Sequence, residues 1–251
     1  MSSPSHGLLS VWRSAWSAIL RRPLPFLAAS LALSGTNVML WRMGVYEGAA
    51  RGETGGAALA SFLLTKLIVL LAWGLAAMRL VDDPRLPAAK LLRIDRRQAA
   101  WLGGMLLMLP LLLTLRISIA KAVGALLAPF APDPRAAAAT ALLLYLAASL
   151  GLLVRILPGW AGVMIGDREA GLAWSWRASR GQALRSIGLL FAALLPAGAV
   201  HFGNNLLWLS KLPALRAATL LADGAIMALY VAIAAAAYVS LHRRAKAAAG
   251  N

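Results

Sequence analysis

The sequence predicts an all-α polytopic transmembrane helical bundle of about six spans, with an N-terminal amphipathic interfacial helix and a cytoplasmic interfacial elbow ahead of span five. Three observations predict it. Hydrophobic residues make up 61% of the 251-residue chain and charged residues only 14%, a balance outside the usual range of soluble domains. Apolar runs recur at lengths near the roughly 20 helical residues that cross a hydrocarbon core of about 30 Å. Cations gather at the ends of those runs rather than along them, which is the pattern of a chain threaded through a bilayer.

The elements follow in order. Leu8, Leu9, Trp12, Trp16, Ile19 and Leu20 recur at helical spacing, with Ser10, Arg13, Ser14, Ser17 and Arg21 opposite them, so the opening segment reads as an amphipathic helix on the inner leaflet. Pro23 and Pro25 turn the chain into the first span. A cleaved signal sequence is the competing reading, and the 22 residues ahead of the apolar run count against it because a secretory n-region is short. Six spans are expected, at about 24–43, 57–81, 99–115, 136–157, 184–209 and 217–241. The third has the weakest boundary, because Pro110 should kink it and Arg116 follows closely, so five or seven spans stay open. The whole of 1–251 is expected to be one integral membrane domain. Ala-rich stretches such as "RAAAATALLLYLAASLG" and "AIAAAAYVS" read as close helix packing, since small residues let backbones approach in lipid. No internal repeat of the inverted-transporter kind is visible.

Charge sets the orientation. There are 25 Lys and Arg against 9 Asp and Glu, a net +16. The side that holds the N-terminus carries 17 of these cations and the other side 7, with Lys66 inside span two. Both termini are therefore expected in the cytoplasm. A basic excess can also mean nucleic acid, but that needs a solvated basic face on a folded core, and the spans leave none. The expected partners are membrane lipids, especially anionic headgroups of the cytoplasmic leaflet. Arg13, Arg21, Arg22, Arg93, Arg96, Arg97, Arg168, Arg177, Arg180 and Arg185 are the candidate contacts, although fixing topology is sufficient reason for most of them.

The chain has no cysteine, so disulfides and thiolate chemistry are excluded. His6, His201 and His242 lie in different segments with no HExxH, so no metal site is expected. Asp82 and Asp83 ahead of Pro84 read as a turn cap rather than an acid–base pair. No phosphate loop, dinucleotide fingerprint or nucleophile elbow occurs, and neither a cofactor nor catalysis is expected.

Ionisable groups inside spans are the exceptions that need a reason. Lys66 and Asp223 sit roughly 13 and 9 Å below the outer ends of spans two and six at 1.5 Å per residue. His201, Asn204 and Asn205 fall in the same half of span five, so the five residues form a candidate polar cluster. The plainer reading is that Lys66 snorkels, Asp223 caps a helix and the amides bond neighbouring helices.

The stretch "GLAWSWRASRG" resembles a motif ahead of a late span in the membrane domain of bacterial glycerophosphoryl diester phosphodiesterases and in YciC-like inner-membrane proteins. Ser175, Trp176, Arg180 and Gly181 carry the match, and Gly171 stands where that family usually has Ala. The upstream "RILPGWAGVMIGDREAG" is also similar, and the likeness covers about 155–190. The resemblance implies a polytopic inner-membrane protein with a role in envelope or phospholipid homeostasis. It implies no hydrolase activity, because those enzymes carry their catalytic domain after the membrane domain. The expected function is thus non-catalytic. The main alternative is a small-solute, proton-coupled or lipid transporter that uses the Lys/Asp/His/Asn cluster, and an integral membrane enzyme acting on lipids is the third.

Overall fold

The structure, a computed structural model, describes residues 7–44, 56–127, 133–208 and 212–249. His6, Arg51, Leu209 and Lys211 lie outside them. Among the described residues the regular structure is entirely helical. In chain order the helices are α1 (Leu8–Arg21), α2 (Pro23–Arg42), α3 (Gly56–Asp82), α4 (Ala88–Leu91), α5 (Arg96–Leu127), α6 (Pro134–Ile165), α7 (Leu172–Ala178), α8 (Ala183–Trp208) and α9 (Pro213–Ala249). Six of them, α2, α3, α5, α6, α8 and α9, are long and apolar enough to cross a membrane.

The expected third span, 99–115, proves to be only part of a helix. α5 runs for 32 residues with Pro110 inside it, about 48 Å of helix against a hydrocarbon core of about 30 Å. Arg116 and Lys121 end the hydropathy signal but not the backbone hydrogen bonding. α6 likewise continues past the expected end at Leu157, through Pro158, to Ile165. Asp95 and Gln98 start α5 as a capping box: the Gln98 N–H donates to Asp95 Oδ1 at 2.7 Å and the Asp95 N–H to Gln98 Oε1 at 3.1 Å. Two donors that helix geometry would leave unpaired are satisfied in this way.

The chain divides into two compact units. The first comprises Met1–Arg93 and Gly188–Arg244. Its interior is built from Leu33, Leu75, Met78, Leu80, Ile233 and Val239, and Ala234 to Ala237 are all buried. Trp73 donates from Nε1 to the Ala228 carbonyl at 2.7 Å and meets Phe26 edge-on at 6.0 Å. α2 and α9 approach closely at Gly224, where an added Cβ would lie 2.5 Å from the Ser30 carbonyl oxygen and collide with Ser34 Oγ. That hydroxyl donates to the Leu221 carbonyl at 2.7 Å, so small residues and a polar bond together hold two backbones in contact. Gly224→Val is expected to cost about 1–3 kcal/mol through overpacking, read as a lower unfolding midpoint in detergent; an unchanged midpoint would mean that the two helices separate freely there.

In α1, Val11, Ala15, Ala18 and Ile19 are buried, while Leu9 is 80% and Leu20 74% exposed. Only Ile19 of the six large apolar residues that define its sequence pattern belongs to this buried set. The helix packs through its small residues, against α2 and α3, and turns its bulkiest apolar side chains outward.

The second unit comprises Ile94–Ile187 and Ala245–Asn251. Here α5 lies along α6, and α7 folds back on α6. Ala136, Ala138 and Ala139 are exposed, so this Ala-rich run, unlike that of α9, is not a packing face within the described structure.

Candidate functional site

All five residues of the expected intramembrane cluster line one cavity of about 370 Å³ in the first unit: Lys66 from α3, His201, Asn204 and Asn205 from α8, and Asp223 from α9, with Thr219 beside them. Each is carried on a helix long and apolar enough to span a membrane. The spacing of α8 explains the grouping, since positions 201, 204 and 205 are i, i+3 and i+4 and share one face.

Asp223 is the centre, with its residue only 6% exposed. Its Oδ1 lies 2.8 Å from His201 Nδ1 and its Oδ2 accepts from Asn37 Nδ2 at 2.9 Å. The first contact has the length of an ion pair without the alignment of a hydrogen bond. On the far side of the imidazole, His201 Nε2 lies 3.0 Å from Asn205 Nδ2. If that amide nitrogen donates, Nε2 accepts and the neutral ring carries its proton on Nδ1, facing the carboxylate. Turning the Asn205 amide over offers its oxygen instead and suits a doubly protonated imidazolium. The His201 side chain is 33% exposed and that of Asp223 9%, so the histidine stands at the mouth and the acid behind it. Asn204 Nδ2 donates to the Thr219 carbonyl at 3.0 Å, which ties α8 to α9 at the same level.

Asn37 lies outside the sequence-based cluster. It is 1% exposed and also donates to the Leu220 carbonyl at 3.2 Å. The signal was present, because an amide in the middle of an apolar run is itself costly in lipid, but no ionisable residue stands beside Asn37 in its run to mark it.

The stretch that carries the family resemblance sits in the second unit and is built as a lock. The Ser175 hydroxyl accepts from the Gly159 N–H at 2.8 Å and donates to the Arg155 carbonyl at 2.6 Å. Those are the two groups that an unbroken helix joins directly, next to Pro158, which has no N–H of its own. A Cβ on Gly159 would stand 2.7 Å from both Ser175 Cβ and the Gly171 carbonyl oxygen. Arg155 closes the other edge, its guanidinium 5.5 Å from the Trp176 ring centre and 3.3 Å from the Trp176 carbonyl. Gly166 and Gly181 take φ values of 92° and 71°, the left-handed region that favours glycine. α7 is a helix of only 7 residues. Its buried side is Ser175, followed by Ser179, while Leu172 and Trp176 are 55% and 44% exposed.

No family model, curated protein or solved structure matches the chain.

Of the ten arginines picked out as lipid contacts, nine are exposed and Arg22 is half-buried. Arg97 is engaged by the Asp167 carbonyl at 3.1 Å. Three cations outside that set have structural partners. Arg79, 8% exposed, donates to the Lys90 and Leu91 carbonyls at 2.6 and 3.0 Å, which closes the C-terminus of α4. Arg243 pairs with Asp82 at 2.9 Å, and Lys246 with Asp167 at 2.7 Å. Asp83 caps its turn by accepting the Arg85 N–H at 2.9 Å. Among the described residues no three His, Asp or Glu side chains gather as a metal site would need.

Proposed function

We propose that this is a multi-pass protein of the bacterial inner membrane that moves a small polar solute together with a proton, using His201 and Asp223 and catalysing no covalent reaction. One observation carries the reading: a buried carboxylate meets an imidazole at 2.8 Å inside a cavity lined by Lys66 and two amides. An acid buried within apolar spans is retained against a cost of a few kcal/mol, and an imidazole at the mouth is the side chain best suited to load and release a proton near neutral pH. Asn205 accommodates both states of the ring by turning its amide.

The setting is part of the proposal. The 17 to 7 distribution of cations favours both termini on the cytoplasmic side. Outward-facing Leu9, Trp16 and Leu20 on α1 suit a helix lying in the inner leaflet, and the exposed arginines suit contact with anionic headgroups. The likeness of the stretch around Ser175 and Trp176 to YciC-like proteins makes envelope or phospholipid homeostasis the physiological context.

The test is a pH jump on proteoliposomes adsorbed to a solid-supported membrane. The wild-type chain is expected to give a transient charge displacement as the pair takes up a proton, and Asp223→Asn and His201→Gln to reduce it at least tenfold. Identical traces from wild type and both variants would sink the reading. A panel of small carboxylates and amines added to the same membranes then identifies the solute by the current it evokes.

A further inference from the structure

A second cavity, of about 660 Å³, opens in the second unit, among Glu169, Trp174, Arg177, Arg180, Gln182 and Lys246. Its volume falls in the range of about 300–1,000 Å³ typical of ligand sites. None of its residues belongs to the polar cavity around Asp223.

The cations of this unit divide by what they do. Arg97 and Arg155 are spent on backbone carbonyls, and Lys246 is held by Asp167 at 2.7 Å and Glu169 at 3.8 Å. Arg177 and Arg180 line the cavity, are exposed, and among the described residues neither guanidinium enters an ion pair. Their placement is fixed from behind. Ser175 and Ser179 are buried on the opposite side of the segment, the Arg180 N–H donates to the Arg177 carbonyl at 3.1 Å, and Gly181 turns the chain with φ 71°. Two planar forks and an indole therefore converge on one space. Arginine forks bind phosphoryl oxygens in paired fashion, and tryptophan favours the depth at which headgroups lie.

The surroundings say where the ligand comes from. Leu172, Trp176 and Leu184 are 55%, 44% and 85% exposed around the same segment, an apolar fringe suited to acyl chains beside a basic recess. Glu169 lines the same recess, and a carboxylate there penalises a phosphate that carries about −1.5 to −2 more than a diester that carries a single charge. We propose that this recess is a binding site for the phosphodiester headgroup of one membrane phospholipid, held by Arg177 and Arg180 against Trp174. The site shares with the transport reading only the membrane setting, so either can fail without the other.

The full chain in micelles of dodecyl maltoside, a detergent without phosphate, is titrated with short-chain phosphatidylglycerol, in parallel with inorganic phosphate, and native mass spectrometry counts bound molecules. One phosphatidylglycerol per chain is expected, and Arg177→Gln with Arg180→Gln is expected to weaken it roughly thirtyfold, on the scale of about 1 kcal/mol per cation at an anionic surface. Arg168→Gln, an exposed cation outside the recess, should leave it unchanged. Glu169→Gln is expected to tighten it several-fold, an arm that keeps the test decisive if the double variant fails to fold. Equal losses from Arg168→Gln and the double variant would overturn the site in favour of diffuse leaflet attraction. Inorganic phosphate binding as tightly as the lipid would overturn the lipid as ligand.

Discussion

Gly159→Ala is expected to unlatch α7 from α6 and to lower the stability of the second unit by about 2–4 kcal/mol, the range of tight-packing violations with no room to relax. The new methyl would meet a backbone oxygen and a Cβ, each at 2.7 Å, and neither is the loose end of a flexible side chain. Ser175→Ala should cost less, about 1–3 kcal/mol, by stripping the Gly159 N–H and Arg155 carbonyl of a shared buried partner. Thermal unfolding in detergent gives the midpoints, and limited proteolysis gives the location: cleavage should appear between α6 and α8 in both variants before it appears elsewhere. A Gly159→Ala protein with a wild-type midpoint and a wild-type cleavage pattern would mean that the lock does not hold α7.

The second large effect concerns the amide behind the acid. Asn37→Ala removes a 2.9 Å bond to Asp223 Oδ2 within a site where both residues are buried. Neutral interhelical hydrogen bonds in membranes average only about 0.6 kcal/mol, whereas bonds to charged groups reach about 1.5–3 kcal/mol. The carboxylate decides between them, and a cost of about 2 kcal/mol is expected. A double-mutant cycle of Asn37→Ala and Asp223→Ala should return a coupling of about 1 kcal/mol or more, because once the acid is gone the amide has less to hold. Additive effects would show that Asn37 supports α9 through the Leu220 carbonyl alone and would remove it from the site.

Both predictions turn on contacts between residues far apart in the chain, which explains how much of them was legible beforehand. The cluster could be assembled from the sequence because lipid makes it conspicuous. Lys66 and Asp223 are charges in apolar runs, and 201, 204 and 205 recur at helical spacing in a third run. Their placement in the same half of the bundle followed from 1.5 Å per residue. Asn37 escaped because a neutral amide in a span is ambiguous until its partner is known. The motif around Ser175 was recognisable as a pattern, yet nothing in it says that its serine reaches into the helix before it. The Asp95–Gln98 capping box was readable at fixed spacing and lay unremarked within a run of cations.

Helix ends divide along the same line. Hydropathy located every helix long enough to cross a membrane but stopped α5 at Arg116 and α6 at Leu157. Charge ends an apolar run without ending a hydrogen-bond ladder, and helices of 32 residues are longer than a hydrocarbon core of about 30 Å requires.

By itself, then, the sequence located about six runs long and apolar enough to cross a membrane and the residues that lipid would not welcome. Those properties follow from composition and periodicity along one strand of chain, where each residue's cost in a bilayer is its own. Only the tertiary structure decided that His201 faces Asp223 with Asn37 behind it, that Arg155 and Arg97 are spent on carbonyls while Arg177 and Arg180 open onto a recess, and that Gly159 and Gly224 are glycines because another backbone or side chain fills the space. Those are pair properties set by which helix faces touch, and in lipid, where apolar faces gain little by choosing one another, small residues and polar bonds make that choice.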